Sequence, residues 1–193
     1  MQGIKKEIRI IAIDDGYFEK FKSKQCIVVG VIYRGAEFID GLISFKVKVD
    51  GNDATTRIAR AINKSKHKGQ LSLIMLNGIA IAGFNVIDIE ALSKATNLPV
   101  IIVSRKKPRP KLIKETLKKL KQEEKIKAIE KAGKPKTFNL GKKKIYFQFY
   151  GISEDKARKI LKATIKRGHM PEPLRVAHII ASGITLGENK GRV

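Results

Sequence analysis

The residues predict an α/β fold: a mixed sheet of three antiparallel strands followed by βαβ, flanked by helices and continued by a further C-terminal strand and helices. Three observations carry that prediction. Residues 7–13 ("EIRIIAI"), 26–34 ("CIVVGVIYR") and 37–49 ("EFIDGLISFKVKV") are rich in β-branched residues and separated by short polar or glycine-containing turns, the pattern of an antiparallel meander. "LSLIML" and "PVIIVS" are continuous apolar runs, as expected of strands covered on both faces. Helical periodicity appears between and around them.

The first helix follows the stop at Asp50-Gly51, with Asp53 as its N-cap and Ile58, Ala61 and Ile62 at helical spacing. "NVIDIEALSKA" is helical in pattern and separates the two apolar strands, so the core reads βββαβαβ. Pro108 and Pro110 close it, and the basic stretch 111–132 is expected as one long helix with Ile113, Leu117 and Leu120 on a stripe. A turn at Gly133 to Pro135 leads to the alternating strand "KIYFQFYG". Ser153 caps the next helix, with acids in its first turn and bases in its last, and Pro171 and Pro173 open "PLRVAHIIASGI". A chain of 193 residues with 42% hydrophobic content suits one domain, divided into a core over 1–104, a basic helical arm over 105–144 and a C-terminal strand and helices over 145–193.

The formal charge of +23 points to a polyanionic partner such as nucleic acid. It is unevenly spread: residues 105–144 hold 17 basic and 4 acidic residues, a net +13. A solvated helix is the plainer account of such a run; a grip on phosphates is the functional one, with Lys106, Lys107, Arg109, Lys118 and Lys119 as the contacts. The N-terminal stretch has no long apolar region and reads as no targeting peptide. The uncharged stretch Leu71 to Ile87 straddles a turn and is no membrane span. With one cysteine, Cys26, an internal disulfide is impossible, and a reducing cytoplasm is the expected location. Three histidines without metal-ligand spacing exclude a recognisable zinc site, and His178, in an apolar helix, reads as a satisfied core residue. No serine lies in a Gly-x-Ser-x-Gly context.

The Gly78 to Gly83 interval has phosphate-loop spacing, but Phe84-Asn85 stands where Lys and Ser/Thr would hold the γ-phosphate and magnesium. Backbone N–H groups around Gly78, Gly83, Phe84 and Asn85 remain candidates for one phosphate of a polynucleotide. Phosphodiester chemistry with hard cations needs oxygen ligands converging from strand ends. Asp14 ends the first strand and Asn77 the fourth, which lie side by side in this topology; Asp50 and Asp53 end the third, Asp53 equally well as a helix cap. Asp15 is either a ligand or the acid of a "DDG" turn.

The segments "AIDDGYF", "VVGVIYRG", "FIDGLISFKVKVDGNDATTRIA", "IMLNGIAIAGFNVIDIEAL" and "PEPLRVAHIIASGI" resemble the archaeal endonuclease dU family, formerly a domain of unknown function, over nearly the whole chain. That family is in turn similar to endonuclease V, a ribonuclease-H-like nuclease that cuts near deaminated bases with magnesium. The resemblance implies a ribonuclease-H-like sheet, a metal-binding Asp at Asp14 and a strand-opening wedge in "FIDGLISFKV". It also implies a second acid where this chain has Val47 and a third where it has Asn77. Asp50 would then substitute for the lost Glu and Asn77 would offer a neutral ligand. The implied protein is an endonuclease using Mg2+ or Mn2+ at Asp14, Asp50 and Asn77 on deaminated DNA rather than RNA, with Phe38 or Phe84 as the wedge or stacking surface. The other reading is a non-catalytic nucleic-acid-binding protein with a degenerate site.

Overall fold

A computed structural model describes residues 7–141 and 143–189; residues 1–6 of the N-terminal stretch, Lys142 of the basic arm and residues 190–193 lie outside them. Its centre is a seven-stranded sheet in the order β3-β2-β1-β4-β7-β9-β8. β1 (Arg9–Asp15), β2 (Gln25–Arg34) and β3 (Phe38–Lys48) form the expected antiparallel meander. β4 (Leu73–Asn77) pairs parallel to β1, and β7 (Val100–Ser104) parallel to β4. β9 (Lys143–Tyr150) returns antiparallel against β7, and β8 (Lys136–Leu140), a further strand beyond those the residues predict, closes that edge.

Side chains alternate across a strand, so the sheet builds one core on each face. Ile11, Ile13, Ile74, Leu76, Val100 and Ile102 pack against α1 (Ala54–Lys64) and α2 (Ile89–Thr96). Ile10, Ala12, Leu73, Met75, Ile101 and Val103 pack against α5 (Glu154–Thr164) and α6 (Glu172–Leu186). The central strands are therefore apolar along their whole length because both faces are covered, as the runs "LIML" and "VIIV" foretold.

Two expectations need correction. Basic segment 111–132 is not one helix: α3 (Pro110–Lys119) ends at a turn where Lys121 has φ +55, a short 3-10 turn follows, and α4 (Ile126–Lys131) resumes. The break lets Leu117 and Ile129, from different helices, meet Val86 in a small third cluster, which a straight helix could not do. The loop after Asn77 holds a two-stranded hairpin, β5 (Ala80–Ile81) with β6 (Asn85–Val86), before α2 begins. Glycine spacing there serves a hairpin rather than a helix N-terminus. α2 is capped by its own Asp88, which accepts from the Ala91 N–H.

Candidate active site

Asp14 and Asp15 are adjacent, and the pleat sends them to opposite faces of the sheet. Asp14, with the parity of Ala12, faces α6 and is 3% exposed. Asp15 faces the hairpin loop and accepts from the Ala82 N–H at 2.8 Å. Burial, followed by the neighbouring charge of Asp14, pushes the Asp15 carboxyl up to about 6. Asp15 thus anchors the loop after Asn77 rather than the turn of its own "DDG".

Asn77, one residue beyond the β1–β4 pairing, shares the Asp14 face, and its Nδ2 donates to Asp14 Oδ2 at 3.0 Å. The same oxygen lies 2.9 Å from Nδ1 of His178, carried by α6. This hydrogen bond, ahead of the opposing effect of partial burial, holds the His178 pKa above the ordinary imidazole value. Nε2 of His178 is buried and has no hydrogen-bond partner among the described residues. A buried polar ring nitrogen without a partner is costly, and Nε2 is the one buried atom of this cluster left for a ligand to satisfy among the described residues. The sequence reading of His178 as a satisfied core histidine is corrected on that point. A polar residue amid the Ala177, Ala181 and Ser182 face of a buried helix was the signal available.

Asp50 does not join Asp14. Its backbone has φ +54, its Oδ1 accepts from the Phe84 N–H at 2.7 Å, and its N–H donates to the Ala82 carbonyl. A Cβ on Gly83 would stand 2.2 Å from Asp50 Oδ1, so the carboxylate is packed onto the loop backbone. Asp53 is likewise a clip, accepting from Lys48 N–H and Asn85 Nδ2. Asn85, fully buried, also receives the Ala54 N–H. The loop amides proposed for a phosphate are therefore in part spent within the protein: Phe84 N–H on the Asp50 carboxylate, Gly78 N–H on the Val103 carbonyl. Asn85 and Gly83 are structural, and Phe84 packs into the third cluster beneath the arm. Phe38 is half exposed but stands at the far end of the sheet: it pairs with Arg34, which pairs with Arg9, five residues before Asp14. That is about 17 Å along the strand.

Among the described residues no group of three or more His, Cys, Asp and Glu is placed to hold a metal ion. The oxygen donors here, the Asp14 carboxylate and the Asn77 amide oxygen, suit a single divalent cation that keeps water and substrate oxygens as its other ligands; a two-metal cage does not fit. Beside Asn77 a cleft of about 310 Å³ is lined by Asn77, Gly78, Ser104, Lys106 and Lys107 among others. Lys106, Lys107, Arg109, Lys118 and Lys119 are all exposed. The arm that carries them is fixed to the hairpin by buried Lys125, whose Nζ donates to the Asp50 and Phe84 carbonyls and to Gln122 Oε1. A larger cavity of about 780 Å³ lies at the other end of the sheet, around Arg9, Ser72, Pro99 and Ser153, away from this constellation.

A family model described as endonuclease dU matches residues 6–185. The chain belongs to the endonuclease dU family. A UPF0215 protein of Methanothermobacter thermautotrophicus is 45% identical over 97% of this chain and 93% of its own length, and one of Thermococcus sibiricus is 46% identical over 97% of each. The fold of this endonuclease dU chain is also that of a crystal structure of a protein of unknown function from Archaeoglobus fulgidus, at 33% identity and TM-score 0.83, covering 94% and 100% of the two chains. Endonuclease V from Bacillus subtilis shares the architecture at TM-score 0.62 and 10% identity, covering 93% of this chain and 82% of that one. The mixed sheet is therefore of the ribonuclease-H-like, endonuclease V type. Among the described residues no helix is long and apolar enough to cross a membrane.

Proposed function

We propose that this chain is an endonuclease that cuts deaminated, deoxyuridine-containing DNA with the help of Mg2+ or Mn2+, at a site made by Asp14, Asn77 and His178. The observation that carries the reading is the Asp14–His178 pair beside Asn77, with Nε2 of the imidazole buried and unanswered. Family membership and the +13 arm support it. A divalent cation, when bound, would polarise the phosphodiester and lower the pKa of a water.

The chain's own residues do the rest. Asp14 holds the imidazole oriented and charged, and His178 keeps a proton at Nε2 to give to a phosphate oxygen as charge develops there. With Nδ2 committed to Asp14, Asn77 offers its carbonyl oxygen to a cation, more weakly than a carboxylate would. Lys106, Lys107, Arg109, Lys118 and Lys119 lie along the strand backbone, and the cleft beside Asn77 receives an extruded base. The 105–144 arm is the gripping segment and the sheet the cutting one.

The test is cleavage of uracil- and inosine-containing oligonucleotides in Mg2+ or Mn2+ by the wild type, Asp14→Asn and His178→Ala. The wild type should cut and both variants should lose on the order of 10²-fold or more in rate. Binding without cleavage by the wild type would instead establish the second reading, a binder with a degenerate site, which the amide at position 77 favours.

A further inference from the structure

The loop between β1 and β2, "GYFEKFKSK", leaves the sheet directly after Asp14 and Asp15. Its base is rigid. Gly16 is so close to α6 that a Cβ there would meet Thr185 Cγ2 at 2.5 Å, and its N–H donates to the Ile27 carbonyl. The Tyr17 N–H donates to Thr185 Oγ1 at 2.9 Å, and Phe18 packs against the core. The tip is closed on itself: Lys22 and Ser23 N–H groups donate to the Glu19 carbonyl, and the Glu19 N–H donates to Ser23 Oγ.

At that tip Phe21 is 103% exposed and adopts φ +66. A bulky aromatic residue in the left-handed region, with its ring wholly in water, is disfavoured twice over. Strain and exposure held by a rigid frame mark a functional contact. Tyr17, 57% exposed, stands on the same loop, and Lys20, Lys22 and Lys24 interleave with the aromatics, Lys22 pairing with Glu19. Aromatic faces among cations are complementary to unpaired bases on a phosphate backbone.

We propose that this loop is a stacking element for a nucleic-acid strand, with Phe21 stacked on an unpaired base and Lys20 and Lys24 beside its phosphates. The inference rests on the nuclease reading and adds to it a contact on the α6 side of Asp14. Phe21 is six positions beyond Asp15, so the stacked base lies within roughly 20 Å of the site, about six stacked nucleotides. The same helix, α6, carries His178 and anchors the loop at Thr185, so strand position and proton donor are fixed by one element.

The chain has no tryptophan, so Phe21→Trp installs a single reporter at the tip, and Ile39→Trp, half exposed at the far end of the sheet, is the control. Full-length protein is titrated with a fluorophore-labelled single-stranded oligonucleotide, following anisotropy and tryptophan emission together. The expected result is quenching of Phe21→Trp, but not of Ile39→Trp, over the concentrations where anisotropy rises. Phe21→Gly should lower affinity about five- to a hundredfold, leave the salt slope unchanged because no charge is lost, and raise Tm by relieving the positive φ. Quenching absent while anisotropy reports binding would overturn the loop assignment and leave the nuclease reading standing. No binding at low salt would overturn both. A response to anionic vesicles in place of the oligonucleotide would also overturn it.

Discussion

Asp14, Asn77 and His178 come from positions 164 residues apart in the chain, and what joins them is one carboxylate oxygen that accepts from both partners. His178 keeps its proton above the ordinary imidazole value because Asp14 is its hydrogen-bond partner. The pair's contribution to stability is thus fully present below the unfolded histidine value, about 6.5, and is lost as pH rises through the higher folded value. Cleavage should follow the same limb, persisting above pH 6.5 and falling at higher pH; a pH–rate profile of His178→Ala should lack that limb. Asp15 shifts stability in the same direction over a lower pH range. Its native carboxyl, pushed up to about 6, keeps a proton that the unfolded chain releases from about pH 4 upward, so folding weakens between pH 4 and 6 as pH rises. Asp15→Asn should therefore be more stable than the wild type by about 1–3 kcal/mol at pH 8 and equal to it below pH 4, read from urea midpoints at the two pH values. Asp14 and Asn77 were legible in the sequence because strand-end residues of adjacent parallel strands must be neighbours. His178 was not, since nothing in a helical stripe says which sheet residue its polar member meets. Asp50 misled for a related reason: it has the right residue type at a strand end, but a left-handed backbone turns its carboxylate onto the Phe84 N–H.

Between residue and molecule, the hairpin after Asn77 is pinned beside the strand ends that carry the candidate site. Asp15 and Asp50 hold its backbone from two sides, and Lys125 ties it to the arm. Gly83→Ala should destabilise the protein by about 1–3 kcal/mol, because φ +84 disfavours any side chain and the new Cβ would meet Asp50 Oδ1. Chemical denaturation measures it. The strands of the meander and of the βαβ unit could be read from apolar runs because burial on both faces leaves that pattern. The hairpin could not, since two residues per strand carry no periodicity, and its glycines look the same in a phosphate loop. The arm's helix broke where Leu117 and Ile129 had to reach one cluster, a tertiary demand that outweighs local helix propensity.

For the whole molecule, the strand order places Asp14 at the carboxyl end of two central parallel strands, flanked by α6 on one side and the cationic arm beyond β7. A chain of +23 built this way should bind DNA with affinity that falls steeply in salt. Replacing Lys106, Lys107, Arg109, Lys118 and Lys119 by Gln should flatten the slope of log affinity against log salt by up to about 4, without changing Tm by more than a degree or two. Charge surplus and its location were open to reading from composition; the face it occupies depended on β9 returning antiparallel beside β7. On the proposed reading, Asn77 belongs to a metal-assisted site and limits its rate. Asn77→Asp tests this most directly, with single-turnover cleavage of a deoxyuridine oligonucleotide in Mn2+ compared between variant and wild type. A second carboxylate beside Asp14 should raise the rate on the order of tenfold. A rate equal to or below that of the wild type would place Asn77 outside any working metal site.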